Sequence, residues 1–169
     1  MGNAKFKQIK QIKQIKQIKM KYQISCIGKS SNTLEQKIID KYLNRIKNKL
    51  IIKEVNLKKQ NSSLQIIKEG NKLIELAPKE SVMILLDKNG INYTTEKLVK
   101  MIKDFEMENY KIINFVIGGS WGHGQKIKTH AKIIMSFGKM TWSHLTARIM
   151  MIEQLYRVET IFNNHPYHK

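Results

Sequence analysis

The residues of this 169-residue chain predict an α/β fold: a mostly parallel sheet of five to six strands flanked by helices. Short β-branched runs alternate with segments of helical periodicity from Met20 onward, the order that builds strand–helix–strand units. Val82-Met83-Ile84-Leu85-Leu86 is apolar without a break and Ile112–Ile117 nearly so, as strands covered on both faces are. Residues 20–169 read as one domain, since the length suits a single core and falls short of two.

Tyr22–Gly28 reads as the first strand, ended by Gly28. Asn32-Thr33-Leu34-Glu35 has capping-box spacing, with Asn32 in the capping place. It predicts a helix running to about Asn48, with Leu34, Ile38, Tyr42 and Ile46 on one face. Leu50–Val55 is a β-branched strand. Residues 61–76 carry Leu64, Ile67, Leu73 and Leu76 on a helical pattern weakened by Gly70 and closed by Pro78. The Val82–Asp87 strand is followed by a Lys88-Asn89-Gly90 turn. Beyond it the chain predicts a helix over Thr94–Glu108, strands at Ile112–Ile117 and Ile133–Phe137, and a long helix over Trp142–Ile161.

The formal net charge of +18 points to a polyanionic partner, either nucleic acid or an anionic membrane surface. Residues 7–19 repeat Lys-Gln-Ile four times and end on Lys19. That period of three drifts around a helix of about 3.6 residues per turn, so residues 1–19 read as a disordered basic extension. The extension holds six lysines and no acid, which leaves +12 on the remainder, so the domain itself is basic. No apolar run approaches the length of a membrane span. The single cysteine, Cys26, excludes an internal disulfide and a multi-cysteine metal site and reads as a small buried residue.

In parallel sheets ligands bind beyond the carboxyl ends of the strands. Three such ends carry loop chemistry: Asp87–Gly90, Gly118–Gly124 and Ser136–Thr141. Gly118-Gly119-Ser120-Trp121-Gly122 matches neither a dinucleotide fingerprint nor a P-loop. With Thr141 as a helix cap, His144 and Arg148 share one helix face near its positive end. Leu145, Ile149, Ile152 and Tyr156 form an apolar stripe, read as core or dimer surface, and Glu153 and Arg157 an intrahelical pair. No metal-ligand spacing occurs. The ring-rich ending His165-Pro166-Tyr167-His168 supplies proton donors, acceptors and stacking faces.

Taken in order, Leu85–Gly90, Phe115–Gly122, Ser136–His144, Arg148 with Glu153–Arg157, and Tyr167-His168 resemble the RlmH family of SPOUT methyltransferases, which methylate pseudouridine in large-subunit ribosomal RNA. The resemblance covers residues 20–169 and is densest over 82–169. It implies a C-terminal trefoil knot, S-adenosylmethionine as methyl donor, and a homodimer whose active site spans the interface. It further implies methylation at N3 of a pseudouridine on assembled ribosomes in the cytoplasm, or in an organelle if residues 1–19 act as a targeting segment. Neither a metal nor a membrane is implied. Carried over by position, Leu86, Gly118, Gly119, Gly122, Phe137, Met140 and Thr141 would line the cofactor site. His144, Arg148, Tyr167 and His168 would face the substrate. His168 or Tyr167 would assist loss of the N3 proton, and Arg148 would stabilise charge on the base carbonyls. The chain departs from the family at Ser120-Trp121, where Pro or Asn is common, and at Leu145, where Gln is. The rival readings are a non-catalytic ribosome- or RNA-binding protein and a SPOUT methyltransferase acting on another RNA.

Overall fold

A computed structural model describes residues 20–31, 33–165 and 167; the basic extension 1–19, Asn32, Pro166, His168 and Lys169 lie outside the described residues. Five strands form one sheet: β1 (Lys21–Ile27), β2 (Leu50–Val55), β3 (Ser81–Asn92), β4 (Ile112–Ile117) and β5 (Ile133–Ser136). Their order is β2-β1-β4-β3-β5, and every pairing is parallel. Five helices connect or follow them: α1 (Leu34–Leu43), α2 (Ser62–Glu75), α3 (Thr95–Met107), α4 (Gln125–His130) and α5 (His144–Phe162).

Strand alternation sorts side chains between two cores. Tyr22, Ile24, Cys26, Val82, Ile84, Ile113 and Phe115 pack on one face against apolar residues of α1, α3 and α5. Ile27, Met83, Leu85 and Val116 pack on the other against Leu73 of α2 and Ile127 of α4. The first leg of β3 and nearly all of β4 are therefore buried on both sides, as their apolar runs predict. A short polar chain lies in the sheet: Gln23 Nε2 donates to Ser25 Oγ and to the Leu76 carbonyl, and Ser25 Oγ donates to Asn114 Oδ1, all at 2.8 Å. Burial pushes the Cys26 thiol up to about 12, which suits an inert packing residue.

Four local expectations change. The cap of α1 is Thr33, whose Oγ1 accepts the Gln36 N–H at 3.2 Å, one residue after the Asn32 expected from spacing. That helix ends at Leu43 rather than Asn48, because the Glu159 carboxylate of α5 captures the Lys47 and Asn48 N–H groups at 2.8 and 2.6 Å. Strand β3 does not stop at Asp87. The chain bulges out after Leu86 and returns, so that both Leu86 and Ile91 lie opposite Met135. Gly90 sits in the return leg, where a Cβ would stand 2.6 Å from the Met135 carbonyl carbon. Helix α4 was not anticipated: its six residues bury only Ile127, too little to make a period.

Glu159 is nearly enclosed and makes two charge-assisted bonds to backbone. Glu159→Ala is expected to lower unfolding stability by about 2–3 kcal/mol in urea titration, since two backbone donors lose their partner. A loss below about 0.5 kcal/mol would show that water replaces the carboxylate.

Candidate functional site

All five strands run the same way, so their carboxyl ends gather on one side of the sheet. There the β3 bulge, the loop after β4 and the loop between β5 and α5 enclose a cleft of about 630 Å³. Leu86, Gly118, Gly119, Gly122, Phe137, Met140 and Thr141, seven residues scattered over more than fifty positions, all line it, and so does His144.

Each loop is pinned by a specific contact. Asp87 accepts the Asn89 N–H at 2.9 Å and pairs with Lys128 at 3.3 Å, which fixes the bulge. Burial alone would push the Asp87 carboxyl up, but these two partners hold it below the usual range. Ser136 Oγ accepts the Gly138 N–H at 3.0 Å and forms the turn into the third loop. His123 clamps the glycine loop: its Nε2–H donates to the Leu86 carbonyl at 2.9 Å, and its ring lies against Gly118, where a Cβ would meet Cε1 at 2.6 Å. Burial lowers the His123 pKa, so the ring is neutral at physiological pH, with its proton on Nε2.

Glu69 of α2 lies behind the same loop, 4% exposed, with Oε1 accepting from Gln65 Nε2 at 2.6 Å. Its Oε2 has no hydrogen-bond partner and would lie 2.7 Å from a Cβ at Gly119. The two adjacent glycines therefore make room for a histidine ring and a carboxylate. His123 was visible within the glycine run, but its bond to the Leu86 carbonyl, 37 residues upstream, was not. No sequence signal marked Glu69, because nothing in its own helix shows that it faces the loop.

The start of α5 differs from expectation. Its cap is Ser143, whose Oγ accepts the Thr146 N–H at 3.1 Å, so Thr141 is free to line the cleft. The helix therefore begins at His144, two residues later than expected. His144 and Arg148 do share a face, but that face points to the end of β1. His144 Nε2 would lie 2.5 Å from a Cβ at Gly28. Burial and the Arg148 charge lower the His144 pKa, against an opposing pull from Glu69. Arg148 is 0% exposed: Nη2 donates to the Gly28 carbonyl at 3.0 Å, and Nη1 is bonded to the Glu54 carboxylate of β2. Its guanidinium is committed inside the chain and does not face the cleft, contrary to the substrate-facing place that the resemblance implies. Glu54 also accepts from the Ser30 N–H at 2.9 Å and hydroxyl at 2.7 Å; these bonds and Arg148 overcome its burial and hold its carboxyl low.

Comparisons with known proteins identify the family of the chain. A family model described as "Predicted SPOUT methyltransferase" matches residues 20–168. The chain belongs to that family. A protein of Halothermothrix orenii named ribosomal RNA large subunit methyltransferase H is 35% identical over 159 residues, covering 89% of this chain and 100% of the relative. Proteins of the same name from Bartonella tribocorum and Paramagnetospirillum magneticum are 33% and 30% identical, each covering 89% of this chain and 99% of the relative.

A SPOUT methyltransferase needs a methyl donor, and the cleft fits one. Gly122 and Gly138 have φ of +75° and +107°, and each faces open space where a Cβ would project, so backbone borders the cavity unshielded. Among the described residues no cluster of His, Cys, Asp or Glu could hold a metal, and no helix is long and apolar enough to cross a membrane. Tyr167 lies elsewhere in this methyltransferase. Its ring meets Tyr156 edge-on at 4.9 Å and sits under Arg157 at 5.0 Å, with its hydroxyl 3.4 Å from Glu153. Glu153 and Arg157 do form the expected pair, at 2.5 Å. Glu153 borders a second groove of about 680 Å³, between α1 and α5, whose walls include Ile38, Tyr42, Tyr93, Ile149 and Met150. His168, the other predicted tail residue, lies outside the described residues.

Two outcomes follow from the pinned loops. Below about pH 6.5 the unfolded chain takes up a proton at position 123 that the buried native ring resists, so stability falls as pH drops through that value. His123→Gln keeps a donor for Leu86 but cannot titrate, and urea titrations between pH 5 and 8 are expected to show a shallower slope for it than for wild type. Arg148→Met is expected to cost about 3 kcal/mol or more, and Glu54→Gln added to it to recover part of that loss, because the stranded carboxylate is then gone.

Proposed function

We propose that the chain transfers a methyl group from S-adenosylmethionine to N3 of a pseudouridine in large-subunit ribosomal RNA. The observation that carries this reading is the convergence of seven separated residues on one glycine-bordered cleft at the carboxyl ends of β3, β4 and β5. The names of the relatives, which specify large-subunit ribosomal RNA, and the +18 charge support the polyanionic acceptor.

S-adenosylmethionine supplies an electrophilic methyl group on a sulfonium. Transfer then depends chiefly on in-line placement of the acceptor, which favours rigid backbone contacts over a strong side-chain catalyst. Leu86, Gly118, Gly119, Gly122, Phe137, Met140 and Thr141 would hold the donor. The pinning of their loops by His123, Ser136 and Asp87 supports that rigidity. N3 of a uracil-type ring is a poor nucleophile until it loses its proton, so an acceptor group must stand nearby. His144, at the cleft wall, and Tyr167 and His168 of a second copy are assigned to the acceptor side.

The assignment of the tail to a partner rests on Tyr167, which in its own chain packs on α5 away from the glycines. The apolar groove between α1 and α5 offers a surface for that second copy. Arg148 has a positioning role here, holding α5 to β1 and β2. A trefoil knot formed by the β3, β4 and β5 loops and a cytoplasmic location complete the proposal.

The test is incubation with S-adenosylmethionine labelled in its methyl group and with intact ribosomes, isolated large subunits or free RNA, followed by mapping of the label. Label at a single pseudouridine is expected; no transfer to any of the three would overturn the reading. Truncation after Pro166 is expected to lower turnover at least tenfold while donor affinity, measured by calorimetry, stays within about twofold.

A further inference from the structure

The proposed reaction leaves unused the most conspicuous surface feature of the cleft. Trp121, on the loop after β4, is 60% exposed, and Trp142, on the loop before α5, is 41% exposed. Both border the cavity that holds Gly118 and Gly119. Among the described residues neither ring stacks on another aromatic. Indoles left in water at the mouth of a cavity mark a surface that something flat covers.

Charge identifies the cover. Between Asn109 and Ile152 the sequence contains no Asp or Glu, yet it includes five lysines, and its arginine, Arg148, is taken up by Glu54. Two of the three cleft loops fall in this stretch. Lys88, from the β3 bulge, lines the cleft and is exposed, and Lys139 is exposed between two residues that line it, Gly138 and Met140. The one acid at the cleft, Asp87, is neutralised by Lys128 at 3.3 Å. An apolar protein segment would gain nothing from the lysines, and an acidic peptide nothing from two indole faces. Unpaired nucleotides carry both a π-face and a phosphate.

We propose that Trp121 and Trp142 form a stacking platform for the unpaired nucleotides that flank the methylated base, with Lys88 and Lys139 on their phosphates. This rests on the reading of the acceptor as RNA. The rings stand on two different loops at the entrance, so they would hold neighbouring bases splayed while the target base enters the cleft.

The chain has only two tryptophans, both here, so its indole emission reports on this surface alone. Titration of the full chain with a single-stranded oligouridine is expected to quench that emission, with an affinity that falls steeply as salt rises. In ribosome methylation, Trp121→Ala is expected to raise KM at least fivefold with kcat and donor affinity nearly unchanged. Trp121→Phe, which keeps a stacking face, should restore most of the loss. Absence of quenching, an unchanged KM, or a loss of donor affinity equal to the rise in KM would each overturn the proposal. So would shielding of both indoles from acrylamide that grows with protein concentration, since a second copy would then be the cover. If wild-type protein quenches with oligouridine but methylates no ribosome, the platform stands and the proposed reaction fails.

Discussion

The guanidinium of Arg148 is the point on which the site's geometry depends. It is fully enclosed, yet it joins three elements: α5, which carries it; β2, through Glu54; and the end of β1, through the Gly28 carbonyl. A buried charge is tolerated only when its partners are held in place, so the same bonds that hold it fix where α5 begins. The beginning of α5 sets the third cleft loop and lays His144 over Gly28. Arg148 thus acts in this chain as the joint that ties the start of α5 to the sheet.

The sheet contributes in a different way. Because all strands are parallel, the three loops open on one side without any long-range steering, and each needs only a local pin. The pins differ in kind: an ion pair and a backbone bond at Asp87, a hydroxyl turn at Ser136, an imidazole strut at His123. Glu69 adds a fourth element from behind, a carboxylate pressed against Gly119 with one oxygen unsatisfied.

The central strands β3 and β4 were legible because they are apolar on both faces, a signal that needs no partner to be read. Helix ends were less so. The end of α1 is decided by Glu159, more than a hundred residues away, and the second leg of β3 by Met135. The glycine run and Met140-Thr141 marked the cleft, since loops at strand ends advertise themselves by composition. The shared face of His144 and Arg148 was legible but its packing against Gly28 was not: helix spacing shows which residues share a face, not what that face meets. Glu69 and Glu54 were invisible for the same reason, being acids on ordinary amphipathic segments until the fold brings the loop or the arginine to them.

The distance in sequence between Arg148 and Glu54, 94 residues, has a bearing on how the chain is made. Ser25 likewise meets Asn114 only after 89 further residues have been added. During synthesis the first strands therefore emerge with a carboxylate and a hydroxyl whose mates do not yet exist, beside an edge awaiting β4. Topology of this kind closes late and slowly, with little to gain from partial assembly. The amino-terminal half is thus a poor candidate for an autonomous folding unit, and its nascent form exposes strand edges for which a chaperone is the natural custodian.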